Sequence, residues 1–370
     1  MKDDGRPLRI AQVAPPLERV PPLAYGGTER IVHELNLELT RRGHEVTLFA
    51  SGDSDAPGEL VATVPEALRP AGFGGDPSPY FLVSQLEVLR RADSFDVIHS
   101  HLEWPSLMLA RASQTPVVST FHGRLDVPAA RQALIDPPPW LVAISQSQAS
   151  AHPEVPWTII HNGMNLAGAP FRARREDHLC FVGRVAPEKG IVEALEVARL
   201  AGRPLKIAAK IGTLPEEREY YEEIVGPLMK DPNVEFLGEL RAPERDQLLA
   251  SSYAALMPGS WPEPFGLVAI EALACGTPLL ARRVGALPEI IRDGIDGFFG
   301  DDAVQLAFLC ERVEELDRLA IRDAVLDRFS ASRMTDRYEQ LYAAAMSGQD
   351  SSEAAFAEPP PALTTLRRGA

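Results

Sequence analysis

Two glutamates eight positions apart, Glu263 and Glu271, lie in the run Pro262-Glu263-Pro264-Phe265-Gly266-Leu267-Val268-Ala269-Ile270-Glu271-Ala272. The first stands among loop-forming prolines and the second inside an apolar run that reads as helix. An ionised carboxylate in apolar surroundings is costly unless it is hydrogen-bonded or neutralised, so Glu271 is expected to face a polar ligand or a basic partner. Arg282 or Arg283 would be that partner if the pair were merely at the surface. A ligand rich in hydroxyls could instead donate to both carboxylates, while free amides where the helix starts, near Phe265 and Gly266, face phosphate. A sugar nucleotide carries both kinds of group.

Cations suited to a diphosphate stand earlier, in Phe181-Val182-Gly183-Arg184-Val185-Ala186-Pro187-Glu188-Lys189-Gly190. A strand is expected to end at Gly183 and a helix to open at Pro187. That places Arg184 and Lys189 where a doubly wound sheet presents its ligand face. The planar fork of arginine grips two phosphate oxygens and lysine adds a point charge, together stabilising a departing nucleoside diphosphate. The surface alternative is pairing with Glu188 or Glu193. Near the N-terminus, Gly26 and Gly27 precede a helix that Thr28 could cap, whose apolar face is Ile31, Leu35 and Leu39 and which Gly43 closes. Paired glycines let a ligand approach the backbone, and they equally suit an ordinary turn.

His122 ends a buried strand ahead of Gly123, where it could bond a sugar hydroxyl or hold reacting groups. His99 and His101 share a strand face with Glu103 following, so metal ligation is one use of them. No second ligand cluster supports it, and a structural or acceptor-side role is favoured. His161-Asn162-Gly163 reads as a tight turn near the interlobe hinge, with a ligand role open. Asp53-Ser54-Asp55 matches a loose metal-binding pattern, but its loop, Ser51 to Gly58, has the composition of a solvated turn. Neither the three-glycine dinucleotide fingerprint nor a P-loop occurs, which argues against a dehydrogenase or an ATPase.

The elements that must position these groups alternate throughout the chain. Its 370 residues suit two domains. With 37 Lys+Arg against 52 Asp+Glu, the formal charge of -15 argues against a nucleic-acid binder and against bulk attraction to anionic membranes, so any phosphate site is local. Cys180, Cys275 and Cys310 read as buried reduced thiols and suggest a cytoplasmic location. The N-terminus does not read as a signal peptide and no run of about 18 apolar residues occurs, so no integral membrane segment is expected. Strands are expected at Leu8 to Ala14, Glu45 to Ala50, Asp96 to Ser100, Val117 to Phe121, Leu141 to Ser145 and Thr158 to His161. After a boundary near 165–177 the alternation restarts with Leu179 to Gly183, Leu205 to Ile211, Val234 to Leu237, Ala254 to Met257 and Pro278 to Ala281. This is an α/β chain of two Rossmann-like, doubly wound parallel-sheet lobes, 1–170 and 171–330, facing a central cleft. An amphipathic helix at 331–346 carries Met334, Tyr338, Leu341 and Tyr342, and 347–370 reads as a disordered tail.

In order, Tyr25-Gly26-Gly27-Thr28-Glu29-Arg30, Phe121-His122-Gly123, Asn162-Gly163, Gly183-Arg184 with Lys189-Gly190, and Glu263-Pro264-Phe265-Gly266 ending at Glu271 resemble retaining glycosyltransferase family 4. Ala274-Cys275-Gly276-Thr277-Pro278 and Gly294-Ile295-Asp296-Gly297-Phe298 extend the match over nearly all the chain before the tail. The resemblance implies a GT-B fold and metal-independent, cofactor-free transfer of a hexosyl group with retention. The donor would be a UDP-, GDP- or ADP-sugar and the acceptor a small molecule, a lipid-linked sugar or a glycan. By that similarity Arg184 and Lys189 hold the diphosphate, Glu271 the ribose hydroxyls, and Glu263 hydroxyls of the donor sugar. Gly26, Gly27 and the amides from Phe265 to Leu267 would contact phosphate or sugar. His122 would lie beside the donor sugar, making His122, Arg184, Lys189 and Glu263 the catalytic candidates. The strand Leu205 to Gly212 lacks the Gly-x-Gly ending of many members, and its Lys210 would add a phosphate or base contact. A front-face substitution is implied, with the leaving phosphate taking the acceptor proton, and helix 331–346 would cross back onto the first lobe. A sugar-nucleotide epimerase or phosphorylase, less favoured by the motif order, and a sensor without turnover are the alternatives.

Overall fold

The computed structural model describes residues 6–23, 26–212 and 214–348. Its first sheet comprises β1 (Arg9–Val13), β2 (Glu45–Ser51), β3 (Glu59–Val64), β4 (Val97–Ser100), β5 (Val117–Phe121), β6 (Leu141–Ala143) and β7 (Thr158–Ile159), ordered 3-2-1-4-5-6-7. The second comprises β8 (Leu179–Val185), β9 (Leu205–Ile211), β10 (Val234–Gly238), β11 (Ala255–Met257), β12 (Leu279–Ala281) and β13 (Gly297–Phe299), ordered 10-9-8-11-12-13. All pairings between these strands are parallel, as in β1, where Ile10 sits between Val46 and Val97. Helices cover both faces, so the central strands β4 and β5 are buried at every residue, which is why they read as short apolar runs. In each sheet the strand order reverses once, between β1 and β4 and between β8 and β11. Crevices open beyond the carboxyl ends of the strands at such points.

Two strands escape the sequence pattern. β3 is a partly exposed edge strand behind a turn-rich segment, and β13 has only three residues and relies on its register with β12. Three local expectations are corrected. β8 continues to Val185, so Arg184 is on the strand rather than beyond it. Pro187–Lys189 forms a 3-10 turn, and the helix begins at Ile191 after Gly190, whose φ of 75° is readily available only to glycine. The first helix, Gly27–Arg41, has Gly26 at its N-cap position, with no side-chain cap, and Thr28 lies within its first turn.

The C-terminal helix, Ala331–Ser347, starts at Ser330, whose hydroxyl accepts from the Arg333 amide at 3.2 Å. It packs on the first helix, β4 and β5, burying Tyr338, Leu341 and Tyr342 completely. Roughly 1.5–3 kcal/mol comes from burying a side chain such as Leu341. Arg42 bonds Asp336 at 2.6 Å and His44 bonds Glu339 at 2.7 Å, fixing the helix to the first lobe from its polar side. All three cysteines are buried and free. Among the described residues no helix is long and apolar enough to cross a membrane. Residues 349–370, where most of the expected tail falls, and Ala24 and Tyr25 lie outside the described residues.

Candidate active site

A cleft of about 570 Å³ is lined by both lobes. On the second-lobe wall β8 presents Arg184, which donates to Glu217 Oε1 and to Glu188 Oε1, each at 3.1 Å. The surface pairing with Glu188 thus occurs, with Glu217 as a second partner. Lys189 is paired with Glu263, and a close approach of two loops brings them together. A Cβ on Gly190 would lie 2.6 Å from the Gly259 nitrogen, so only glycine lets the segment ahead of Glu263 come this near.

Glu271 is 4% exposed and pairs with neither Arg282 nor Arg283. Its Oε1 receives Arg30 from the first lobe and lies 2.9 Å from Arg245 of the helix Ala242–Ser251. Its Oε2 is buried with no hydrogen-bond partner among the described residues. An orphaned buried carboxylate oxygen calls for a donor. Glu271 belongs to the helix Leu267–Ala274, which follows Gly266 at φ 97° and has no side-chain cap. A Cβ on Gly27 would be 3.6 Å from Leu267 Cδ1, so two uncapped helix starts meet across the cleft.

On the first-lobe wall His122 follows β5. The amide oxygen of Gln12 receives His101 Nε2 at 3.0 Å, so His101 Nδ1 accepts from His122 Nε2 at 2.9 Å. The Nδ1 of His122 is thereby left as an acceptor. Gln12 Nε2 donates to Tyr342, whose hydroxyl lies 2.6 Å from His99 Nδ1, and His99 Nε2 reaches Thr120 at 2.8 Å. Burial drives the His122 pKa down to about 3 and those of His99 and His101 well below their ordinary value, so the rings are neutral. Glu103, at φ 61°, accepts from the amides of His122 and Gly123 at 2.9 and 3.0 Å. Burial pushes its carboxyl, and that of Glu29, up to about 7. His99, His101 and Glu103 therefore serve one hydrogen-bonded wall instead of converging on a common point.

Lys210, Phe265, Gly266, Leu267, Gly26 and Gly27 line the same cleft. Asn162, 3% exposed and with its Oδ1 unpartnered among the described residues, lines it too, while His161 turns to Glu289 at 2.9 Å. Asp53, in the turn after β2, accepts from the Ala67 amide at 3.1 Å. The expected site residues, drawn from segments nearly 250 positions apart, thus share one space. Sequence reasoning did not anticipate Arg30 and Arg245 as the partners of Glu271, Gln12 behind His101, or the buried carboxyl of Glu29, and it weighed Glu103 only as a metal ligand. Arg30 stood inside a recognised motif, yet nothing in the chain pairs position 30 with position 271.

Two parallel-sheet lobes with a cleft at their switch points, lined in part by charged side chains, define the GT-B class. Family models agree: Glycosyltransferase Family 4 matches residues 25–167 and Glycosyl transferases group 1 matches residues 170–319. Glycogen synthase of Mycobacterium tuberculosis is 30% identical over 334 residues, spanning 75% of this chain and 79% of that protein. D-inositol 3-phosphate glycosyltransferase of Mycolicibacterium paratuberculosis is 31% identical over 353 residues, spanning 79% and 78%. Among solved structures, AviGT4, a glycosyltransferase involved in avilamycin A biosynthesis, is 27% identical with a TM-score of 0.71, covering 92% of this chain and 99% of that one. Anabaena HepE, solved with UDP and glucose, shares the fold at 19% identity and a TM-score of 0.67, covering 90% and 98%. The chain belongs to the GT-B glycosyltransferases and is a glycosyltransferase enzyme.

Proposed function

We propose that the enzyme is of the retaining family 4 type and moves a hexosyl group from a nucleoside diphosphate sugar to an acceptor hydroxyl without a metal ion. The observation that carries this is the unpartnered Oε2 of Glu271 on the same wall as Arg184 and Lys189. It suits a ribose hydroxyl within reach of a diphosphate clamp. In the free protein, Glu188, Glu217 and Glu263 occupy the two cations. A bound diphosphate takes over Arg184 and Lys189, and Glu263 is released to donor-sugar hydroxyls. Lys210 adds a phosphate or base contact from β9. The UDP and glucose held by HepE, which shares the fold, support the nucleotide-sugar class. A donor of this kind also suits a cytoplasmic site of action.

In the transfer, the bond between the anomeric carbon and the β-phosphate oxygen breaks as the acceptor oxygen bonds that carbon from the same face. The acceptor proton passes to the departing phosphate oxygen, giving a glycoside and a nucleoside diphosphate. Arg184, Lys189 and the amides opening the helix Leu267–Ala274 stabilise the charge that grows on the leaving group. Two side-chain cations there supply charge that a divalent ion provides in other enzymes. His122, neutral with Nδ1 as acceptor, orients a donor-sugar hydroxyl. Glu263 and Glu271 bind hydroxyls and are not an acid/base couple.

Incubation with UDP-, GDP- and ADP-sugars in the presence of EDTA tests this. Nucleoside diphosphate release and a product whose anomeric configuration matches the donor by NMR are expected. Inversion, or activity abolished by EDTA, would overturn the proposal.

A further inference from the structure

The donor contacts proposed above leave much of the first-lobe wall without an assigned ligand. Glu29, in the first turn of the first helix, is 4% exposed, lines the cleft, and has no side-chain partner among the described residues. Glu103 commits Oε1 to the His122 and Gly123 amides, which places its carboxyl next to the residue assigned to the donor sugar and keeps Oε2 for another donor. The cations this lobe brings to the cleft are engaged elsewhere. Arg30 holds Glu271, Arg124 is bonded to Asp126 and stacks 4.0 Å over Trp261, and Arg69 lies 3.8 Å from Glu18. Glu239 and Lys210, from the second lobe, both act on Glu18, so this side of the cleft sets Glu18, Glu29, Glu103 and Glu239 against Arg69 and Lys210.

Buried carboxyls that outnumber the cations beside them exchange hydrogen bonds with hydroxyls at little cost, whereas a phosphate among them gives up water in a poorly solvated place with no cation to spare. We infer that the acceptor is an uncharged polyhydroxyl compound, a sugar or cyclitol without phosphate, whose hydroxyls hydrogen-bond Glu29 and Glu103. This rests on the proposed glycosyl transfer. A phosphorylated cyclitol, present in the name of one group of relatives, is the kind of acceptor this wall disfavours.

The experiment uses matched acceptors, neutral sugars and inositol against their monophosphates, with the full chain and its best nucleotide sugar. Transfer is measured together with acceptor binding to the complex with nucleoside diphosphate by saturation-transfer NMR. Each neutral acceptor that works should exceed its phosphate by about tenfold or more. Glu29→Gln and Glu103→Gln should each lower acceptor kcat/KM by about ten- to a hundredfold, with nucleoside diphosphate affinity held within about twofold. Preference for the phosphates, preference for a cationic amino sugar, or neither transfer to nor binding of any uncharged polyol would overturn the inference. So would unchanged acceptor kcat/KM in both variants. Failure of the wild-type protein to bind any nucleoside diphosphate would instead remove the donor reading. Thermal unfolding accompanies each variant, and Glu29→Gln carries the test if Glu103→Gln disturbs the strand end.

Discussion

On the second-lobe wall, Glu263 sits on Lys189, Glu188 and Glu217 sit on Arg184, and Glu271 sits between Arg245 and Arg30. Across the cleft Glu29 and Glu103 make no ion pair among the described residues, and burial raises both carboxyls to about 7. The difference separates two tasks. A wall of paired charges can exchange carboxylates for a diphosphate without leaving a bare buried ion, because the cations stay in place. A wall of unpaired carboxyls can exchange only water, and hydroxyls replace water best.

The sharpest way to break this contrast is to remove the cations. Arg184→Ala and Lys189→Ala should each slow transfer by on the order of a hundredfold or more, read as steady-state kcat, since charge on the leaving phosphate loses its partner. Wild-type turnover in both would show that the second-lobe wall is no diphosphate clamp. Next in size, Glu271→Gln should weaken nucleoside diphosphate binding by about 1.5–3 kcal/mol in calorimetry, the worth of a hydrogen bond to a charged group. An unchanged Kd would move the ribose elsewhere.

The smallest effect concerns stability. Burial raises the Glu103 carboxyl from 4.5 to about 7, so the folded protein keeps that proton longer than the unfolded chain. Its contribution is therefore fully favourable at acid pH and declines as pH climbs from 4.5 towards about 7. Glu103→Gln removes the titration, so the Tm of the variant relative to wild type should rise across that window. The depressed pKa of His122 acts in the opposite sense, lowering stability as pH falls below 6.5, but wild type and variant share it. A flat Tm difference would show that Glu103 titrates as if in solvent.

Much of the second-lobe wall was legible because its residues lie close to a strand end and to helix starts, which Gly190 and Gly266 mark even though β8 runs past Gly183 and Pro187 opens only a 3-10 turn. Ligand-facing loops in doubly wound sheets begin at such places. The first-lobe wall was less so. Glu29 drew no role of its own in the chain and Glu103 only that of a possible metal ligand, and it is their enclosure that raises their pKa. β3 and β13 were hidden for a related reason: an exposed edge and a three-residue strand carry little apolar signal, and pairing alone stabilises them.

By itself the sequence determined the alternation of strands and helices, the two sheets it implies, and the amphipathic stripe of Tyr338, Leu341 and Tyr342. Each is written in the spacing of apolar residues, which burial converts directly into structure. Tertiary structure alone decided the partners of the charges. Arg30 meets Glu271 across 241 positions and Lys189 meets Glu263 across 74, distances over which no local pattern operates. Which carboxylates are neutralised and which stand alone in the cleft, and hence which wall can take phosphate, depends on packing that brings remote backbone within a few ångströms.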